Sequence, residues 1–194
     1  MNLSSKLLRI CTGVQAAAII AISMPVSTSY AAAPDPNWHV VKTQYKTDDY
    51  VIAGYEAKDF GISANGRTDV TEKIQTALDE LYKIGGGTLF LPAGRYVVKG
   101  TLKIPQGVIL AGDWQSPDEN NGKAAGTILM AYSGRGENDI NDNYDSETEN
   151  MPFITLEPNA SIKGINIWYP EQAPDNIVPY PTTIRMYDPK TWGA

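Results

Sequence analysis

Six carboxylates lie between Glu137 and Glu149, and no lysine or arginine lies among them. Calcium takes several oxygen ligands in proteins, and the spacing Asp139-x-Asn141-x-Asn143-x-Asp145 matches the first part of an EF-hand loop. The match then fails, because Tyr144 stands where that loop needs glycine and Asn150 stands where it needs a bidentate glutamate. The composition is typical of a solvated loop, with a calcium site as the alternative. No other cofactor is indicated.

Asp59, Asp69 and Asp113 are the other carboxylates to consider as acid or base groups. A glycosidase needs two carboxyl groups that flank the scissile bond, and the sequence indicates no such pair. Asp69 precedes a helical pattern and is predicted to be its N-cap. Asp113 follows Ala111-Gly112, where an aspartate satisfies the backbone of a turn. The sequence therefore predicts structural roles for these residues and leaves the catalytic residues unassigned.

Cationic groups are the second kind of candidate. His39 is the only histidine, and its place beside Trp38 near the start of the chain predicts a packing or surface role. Arg95, Arg135 and Arg185 can each contact a sugar carboxylate. No motif in the sequence selects one of the three.

Aromatic side chains are the third kind, because sugar rings stack on aromatic faces. Trp168 and Tyr169 follow a strand-like run, and adjacent strand residues face opposite ways, so one of them is expected to point outward. Trp114 and Trp192 lie next to turns. Ordinary packing is the alternative for all four side chains.

One helix is predicted over residues 69–84 to position the strands that follow. Asp69 as N-cap with Glu72 three residues later forms a capping-box pattern, and Gly85-Gly86-Gly87 ends the helix. Apolar residues recur at three- and four-residue steps, which places them on one helical face. They are Val70, Ile74, Ala77, Leu78 and Leu81.

Short β-favouring runs separated by turn residues follow the helix. They are Thr88–Leu91, Tyr96–Val98, Thr101–Ile104, Val108–Leu110, Thr127–Met130, Phe153–Leu156 and Ser161–Trp168. The marker residues Leu89, Ile109, Ile128 and Ile154 are 20, 19 and 26 positions apart, near the repeat length of solenoid proteins. An antiparallel sandwich is the alternative. The proline-rich residues 171–194 are predicted to be a long loop.

The first 31 residues resemble a secretory signal, with Lys6 and Arg9 before an apolar centre and a small-x-small site at Ser29-Tyr30-Ala31. Residues 32–52 are predicted to be an arm that leads into a domain at 53–194. Loss of Lys6 and Arg9 changes the formal net charge from −6 to −8 and removes Cys11 with the signal. An acidic surface argues against nucleic acid and anionic membranes as partners of the mature chain.

The segment from Asp59 to Tyr96 carries several motifs in a fixed order. Asp59-Phe60-Gly61 comes first, Thr68-Asp69 and Ile74-Gln75 follow, and the run Gly86-Gly87-Thr88-Leu89-Phe90-Leu91-Pro92-Ala93-Gly94-Arg95-Tyr96 ends the segment. This order resembles the pectate-lyase superfamily, in its rhamnogalacturonase/epimerase-like branch. The resemblance implies an all-β solenoid, namely a right-handed parallel β-helix whose first coil is covered by the capping α-helix. It also implies that Asp59 is architectural.

The resemblance further implies a secreted, extracellular protein that degrades a uronic-acid-containing or related polysaccharide by β-elimination or hydrolysis. Such a protein is a polysaccharide lyase or a glycoside hydrolase. The sequence ends at Ala194 without a finishing coil, so a truncated solenoid with its catalytic residues outside this chain is expected. The alternative is a non-catalytic β-helix that binds glycan or mediates cell-surface adhesion, since a fold does not decide a function.

Overall fold

The computed structural model describes residues 32–120, 122–123, 125–134 and 151–186. Within them, one α-helix, α1, spans Thr71–Lys83, and the remaining regular structure is largely β. Two short 3₁₀ turns lie at Ala57–Phe60 and Pro117–Asn120. The strands are β1 His39–Val40, β2 Ile52–Ala53, β3 Tyr55–Glu56, β4 Asn65–Asp69, β5 Gly87–Leu91, β6 Gly94–Val98, β7 Leu102–Ile104, β8 Val108–Gly112, β9 Trp114–Gln115, β10 Ala125–Ala131, β11 Ile154–Leu156, β12 Ser161–Lys163, β13 Ile165–Trp168 and β14 Ile184–Met186.

Three parallel sheets organise the strands. The first sheet has the order β3-β5-β8-β12, the second has β4-β6-β10-β13, and the third has β7-β11-β14. From β5 onward the chain passes from the first sheet to the second and then the third, and it repeats this order twice more. From β5 onward, consecutive strands other than the pair β9 and β10 therefore belong to different sheets, and each parallel sheet is built from segments that are distant in sequence. Outside these sheets, β1 pairs with β2, and β9 pairs with β10, both antiparallel.

The spacing of the repeats differs from the predicted one. Leu89 and Ile109 lie in the first sheet, whereas Ile128 lies in the second and Ile154 in the third, so the four markers do not occupy equivalent positions. The register of the second sheet aligns residues 95, 128 and 166, which are 33 and 38 positions apart. Apolar residues occur in all three sheets, which is why their spacing underestimated the repeat.

Two strand predictions also need correction. The run Ser161–Trp168 is not one strand but two, because the backbone turns at Gly164 with φ 66° and carries β13 into the second sheet. The predicted loop over residues 171–194 contains β14, which pairs in parallel with β11. The strands β12, β13 and β14 have only three or four residues each, so the alternation of buried and exposed residues that marks a strand in the sequence is too brief to recognise.

The apolar face of α1 is confirmed. Its inward residues are fully buried in the largest core cluster, where they meet Leu89, Leu102 and Leu110 from the sheets. The helix ends as predicted at the glycines, with the Gly86 N–H donating to the Leu81 carbonyl at 2.8 Å. Burial of large side chains in this cluster supplies the main driving force for folding.

The predicted start of the helix is wrong by two residues. Val70 is the N-cap, and its side chain cannot accept a hydrogen bond. The Asp69 carboxylate accepts instead from the Thr71 N–H at 3.0 Å and from the Thr71 hydroxyl at 2.6 Å, so it satisfies the first helical turn from one position earlier. A capping box is present at the 3₁₀ turn, where Asp59 pairs reciprocally with Glu56, rather than between Asp69 and Glu72.

Gln75 links α1 to the edge of the third sheet. Its side-chain amide donates to the Lys103 carbonyl, its oxygen accepts from the Lys103 N–H, and both distances are 2.9 Å. β7 is the terminal strand of its sheet, so this amide replaces the neighbouring strand that β7 lacks.

Several predictions fall outside the described residues. They are the signal segment 1–31, the acidic stretch Glu137–Glu149, Arg135 and Trp192. Across the described ranges, no helix is long and apolar enough to cross a membrane.

Candidate functional site

Asp113 fastens the arm to the strands. It is buried, and its carboxylate accepts from the N–H groups of Gln44 at 2.5 Å and Tyr45 at 3.3 Å. The sequence predicted that Asp113 would satisfy the backbone of its own turn, whereas it satisfies the backbone of a segment 69 residues earlier. A carboxylate committed in this way is not available as a catalytic acid or base.

Thr127 holds the residues around Asp113 in place. Its hydroxyl accepts from the Asp113 N–H at 2.9 Å and donates to the Leu91 carbonyl at 2.6 Å, and its own N–H donates to the Asp113 carbonyl at 2.7 Å. The Thr127 side chain is fully buried, so these polar groups have no solvent to replace a lost partner.

We predict that Thr127→Val lowers the free energy of unfolding by about 1–3 kcal/mol, because it leaves a buried N–H and a buried carbonyl unpaired at nearly constant volume. Thr127→Ser is the matched control, since it keeps the hydroxyl and loses only a methyl group. Urea denaturation followed by circular dichroism measures both. The role assigned to the hydroxyl would be wrong if the serine variant lost as much stability as the valine variant.

His39 is held by hydrogen bonds to neighbouring parts of the fold. Its ring nitrogens lie 2.8 Å from Glu56 Oε1 and 2.5 Å from the Asn37 carbonyl, and Glu56 also binds Lys58. The hydrogen bonds to the Asn37 carbonyl and to Glu56 raise the pKa of His39. A raised pKa means that this contact stabilises the fold below the ordinary histidine pKa and is lost as the pH rises through the raised value. The predicted packing role is consistent with this geometry.

Asp69 is held as an anion. Partial burial opposes ionisation, but the hydrogen bonds from the Thr71 hydroxyl and N–H outweigh it and lower the pKa of Asp69. With Asp59 in the capping box and Asp113 on the arm, each of the three candidate carboxylates has a structural role. Among the described residues, no cluster of three or more histidine, cysteine, aspartate or glutamate side chains is arranged to hold a metal ion.

Arg95 and Trp168 are brought together on the outer face of the second sheet. The Arg95 guanidinium lies 5.5 Å from the centre of the Trp168 ring system, within cation–π range. Arg95 is on β6 and Trp168 is on β13, with β10 between them. Trp168 remains 41% exposed, whereas Tyr169 turns inward against Phe153, as the alternation predicted.

The pair spans an apolar strip on β10. Ile128 and Met130 lie beside Arg95 and Trp168 in the register and are only 6% and 7% exposed. These two side chains and Val97 form a cluster separate from the main core, and the register places the guanidinium and the indole on the same face across β10, where they can cover the cluster. The pair thus has a packing role as well as an exposed aromatic edge.

A cleft of about 330 Å³ adjoins Arg95. It is lined by Gln44 and Tyr45 of the arm and by residues at the starts of β6 and β10, including Arg95 and Ile128. One cation, an exposed indole and a concave surface therefore lie along one face of the sheet. This arrangement can bind a ligand that carries both a carboxylate and an apolar ring face.

The other candidates lie elsewhere. Arg185 is on β14 in the third sheet, so it does not belong to the face that carries Arg95. Trp114 is on β9 and 50% exposed, and it lines a different cleft. The sequence did not predict that Gln44 and Tyr45 of the arm line the cleft beside Arg95, because no pattern in the leader indicates which part of the domain it packs on.

A match to a family model agrees with these features. The rhamnogalacturonase A/epimerase, pectate lyase-like model matches residues 55–175, which is more than half of the 194-residue chain. The chain belongs to this family. The resemblance drawn from Asp59 to Tyr96 is confirmed.

The chain is similar in sequence to parts of three curated proteins with different names. Alginate lyase 7 of Azotobacter vinelandii is 45% identical over 56 residues, 29% of this chain and 6% of that protein. Mannuronan C5-epimerase AlgE1 of the same organism is 39% identical over 93 residues, 41% of this chain and 7% of that protein. The tail spike protein of Shigella phage Sf6 is 35% identical over 134 residues, 66% of this chain and 19% of that protein. The matched segment spans under a tenth of the first two relatives.

Proposed function

We propose that the protein is a secreted, polysaccharide-active member of this family and that the outer face of its second sheet binds uronic acid units. The observation that carries the proposal is the Arg95 guanidinium beside the exposed Trp168 indole. A uronic acid unit has a carboxylate for the guanidinium and a ring face for the indole. The names of the alginate lyase and the mannuronan epimerase support a polymer of uronic acids as the glycan.

Arginine suits the carboxylate contact better than proton transfer. Its guanidinium stays charged at all physiological pH values and offers donors in a fork that matches a carboxylate. β-Elimination needs such a cation to neutralise the uronate, and it also needs a base. Asp59, Asp69 and Asp113 have structural roles. We therefore place Arg95 in substrate binding and expect the base, or the carboxyl pair of a hydrolase, among other residues.

We propose a right-handed parallel β-helix as the scaffold, with α1 covering its first coil. The repeated passage through three parallel sheets supports the coil, and right-handed crossovers dominate among parallel strands. The buried face of α1 and the bonds from Gln75 to β7 support the covering role, because an open sheet edge would otherwise present unpaired backbone groups.

Binding of oligouronates tests the site. By isothermal titration calorimetry with oligomannuronate and oligogalacturonate, we predict that Trp168→Ala and Arg95→Gln each weaken binding at least ~10-fold, equivalent to about 1.4 kcal/mol. Trp168→Tyr, which keeps an aromatic face, is expected to retain most of the affinity. Melting temperatures of all variants are recorded, because the pair also covers Ile128 and Met130.

Arg185→Gln is the matched arginine control. It lies in the third sheet and is expected to leave oligouronate affinity unchanged. Loss of binding in Arg185→Gln with full binding in Arg95→Gln would contradict the proposal and place the glycan on the third sheet instead.

A non-catalytic glycan-binding or adhesion module is the second candidate. It is favoured by the structural roles found for Asp59, Asp69 and Asp113. Absorbance of unsaturated uronate indicates a lyase, and new reducing ends without that absorbance indicate a hydrolase. Binding without either product supports the module.

A further inference from the structure

A second cleft is lined by other residues of the arm, and we call it the arm cleft. Its volume is about 480 Å³, within the usual range of small-molecule sites. It is lined by Thr43, Lys46, Thr47, Asp48, Asp49, Val51, Gly112, Asp113, Trp114, Lys163, Gly164 and Ile165. The Arg95–Trp168 pair does not line it, so the arm cleft is a separate concavity.

Charged groups of both signs line the arm cleft without pairing. The Lys46 and Lys163 ammonium groups and the Asp48 and Asp49 carboxylates make no ion pair or side-chain hydrogen bond with any residue that the structure describes. Two cationic and two anionic residues therefore line one concave space, exposed to solvent and without a described protein partner that a ligand would have to displace.

Trp114 supplies an apolar surface in the same cleft. Its indole is half exposed, an uncommon state for so large an aromatic group. Beside it, Gly112 and Gly164 approach so closely that a Cβ on Gly112 would lie 2.4 Å from the Gly164 carbonyl oxygen. This part of the wall is therefore bare backbone, because the two glycines allow their segments to approach closely.

The arm side of the cleft is preformed. Asp113 binds the N–H groups of Gln44 and Tyr45, which lie between Thr43 and Lys46 in the chain. A wall fixed by hydrogen bonds to a buried carboxylate does not have to be ordered by a ligand, which reduces the entropic cost of binding.

We propose that the arm cleft is a second carbohydrate subsite and that it takes an uncharged sugar unit. The sugar ring packs on Trp114, and its hydroxyls, which both donate and accept, bind the lysines and the aspartates. A uronate carboxylate would be repelled by Asp48 and Asp49, which offsets its attraction to the lysines, whereas a neutral hydroxyl can bind groups of either sign without repulsion. That the ligand is a carbohydrate rests on the proposed function, whereas the choice of a neutral unit rests on this cleft alone.

Titration with simple sugars, followed by nuclear magnetic resonance, tests the subsite. Methyl glucoside, methyl galactoside and methyl rhamnoside are the neutral probes, and glucuronate is the charged probe. We expect at least one neutral probe to shift the Trp114 indole N–H signal and to bind more tightly than glucuronate. Trp114→Ala and Lys163→Met are expected to weaken that binding at least ~10-fold.

Tyr50→Ala and Lys42→Met are the matched controls, because both residues belong to the arm and neither lines the cleft. They are expected to bind the neutral probe as the unaltered chain does. The proposal is overturned if no neutral probe shifts the Trp114 signal, if Trp114→Ala binds unchanged, or if glucuronate binds more tightly there. Oligouronate binding to the Arg95 and Trp168 variants is measured separately, so failure of either site is recognised independently.

Discussion

Gly126→Ala is expected to destabilise the protein more than any other single substitution proposed. A Cβ at this position would lie 2.1 Å from the Asp113 carbonyl oxygen and 3.2 Å from Trp114 Cα, both backbone atoms that cannot rotate away. The residue also has φ 80°, where an L side chain costs about 1–2 kcal/mol by itself. With the overlap added, we expect a loss on the order of 4 kcal/mol or more.

Gly122→Ala is the control for the backbone angle alone. Gly122 has φ 74°, and nothing lies within 4 Å of the place that its Cβ would take, so only the conformational cost of about 1–2 kcal/mol applies. Urea denaturation of both variants separates the two terms. If both variants lost the same free energy of unfolding, the strand would have shifted to admit the methyl group. The close approach of Asp113 to Gly126 would then not be a rigid constraint.

Leu81→Ala is expected to have the second largest effect. Leu81 is completely buried on the inner face of α1, and removal of such a side chain costs about 2–5 kcal/mol, partly through the cavity that remains. The loss is measured as a lower denaturation midpoint with an unchanged slope. Because α1 packs on the first and third sheets, amide protection of β5 and β7 should fall as well.

Tyr82→Ala is the neighbouring control. Tyr82 is 53% exposed on the solvent side of the same helix, and such surface changes typically stay within about 0.5 kcal/mol. A Leu81→Ala variant as stable as Tyr82→Ala would mean that the helix does not contribute to the core.

The sequence predicted the helix and the short strands better than it predicted how the strands are arranged in sheets. The residues Ile74 to Leu81 revealed their helical face because thirteen helical residues give several periods to compare. Ser161–Trp168 alternated like one strand, although Gly164 divides it between two sheets. Because the turn at Gly164 takes only one residue, it does not interrupt the alternation of apolar and polar residues. The sequence therefore did not show that the chain changes sheets there.

The candidate site was predictable only as separate residues. Arg95 and Trp168 were both identified by their chemistry, but 73 positions separate them, and only the register of β6, β10 and β13 brings them together. Gln75 was part of a family motif, yet its role at the edge of β7 depends on where α1 docks. Long-range pairing of this kind is set by the whole fold rather than by local preference.

The bond between Asp113 and the arm has a consequence for the order of assembly. Gln44 and Tyr45 precede Asp113 by 69 and 68 residues, so both N–H groups are synthesised before the carboxylate that binds them. β1 and β2 can pair before that, but the loop from Gln44 to Asp113 closes only with this bond, at an entropic cost that the contacts must offset. Both clefts, which the arm helps to line, are therefore completed only when Asp113 has reached its place.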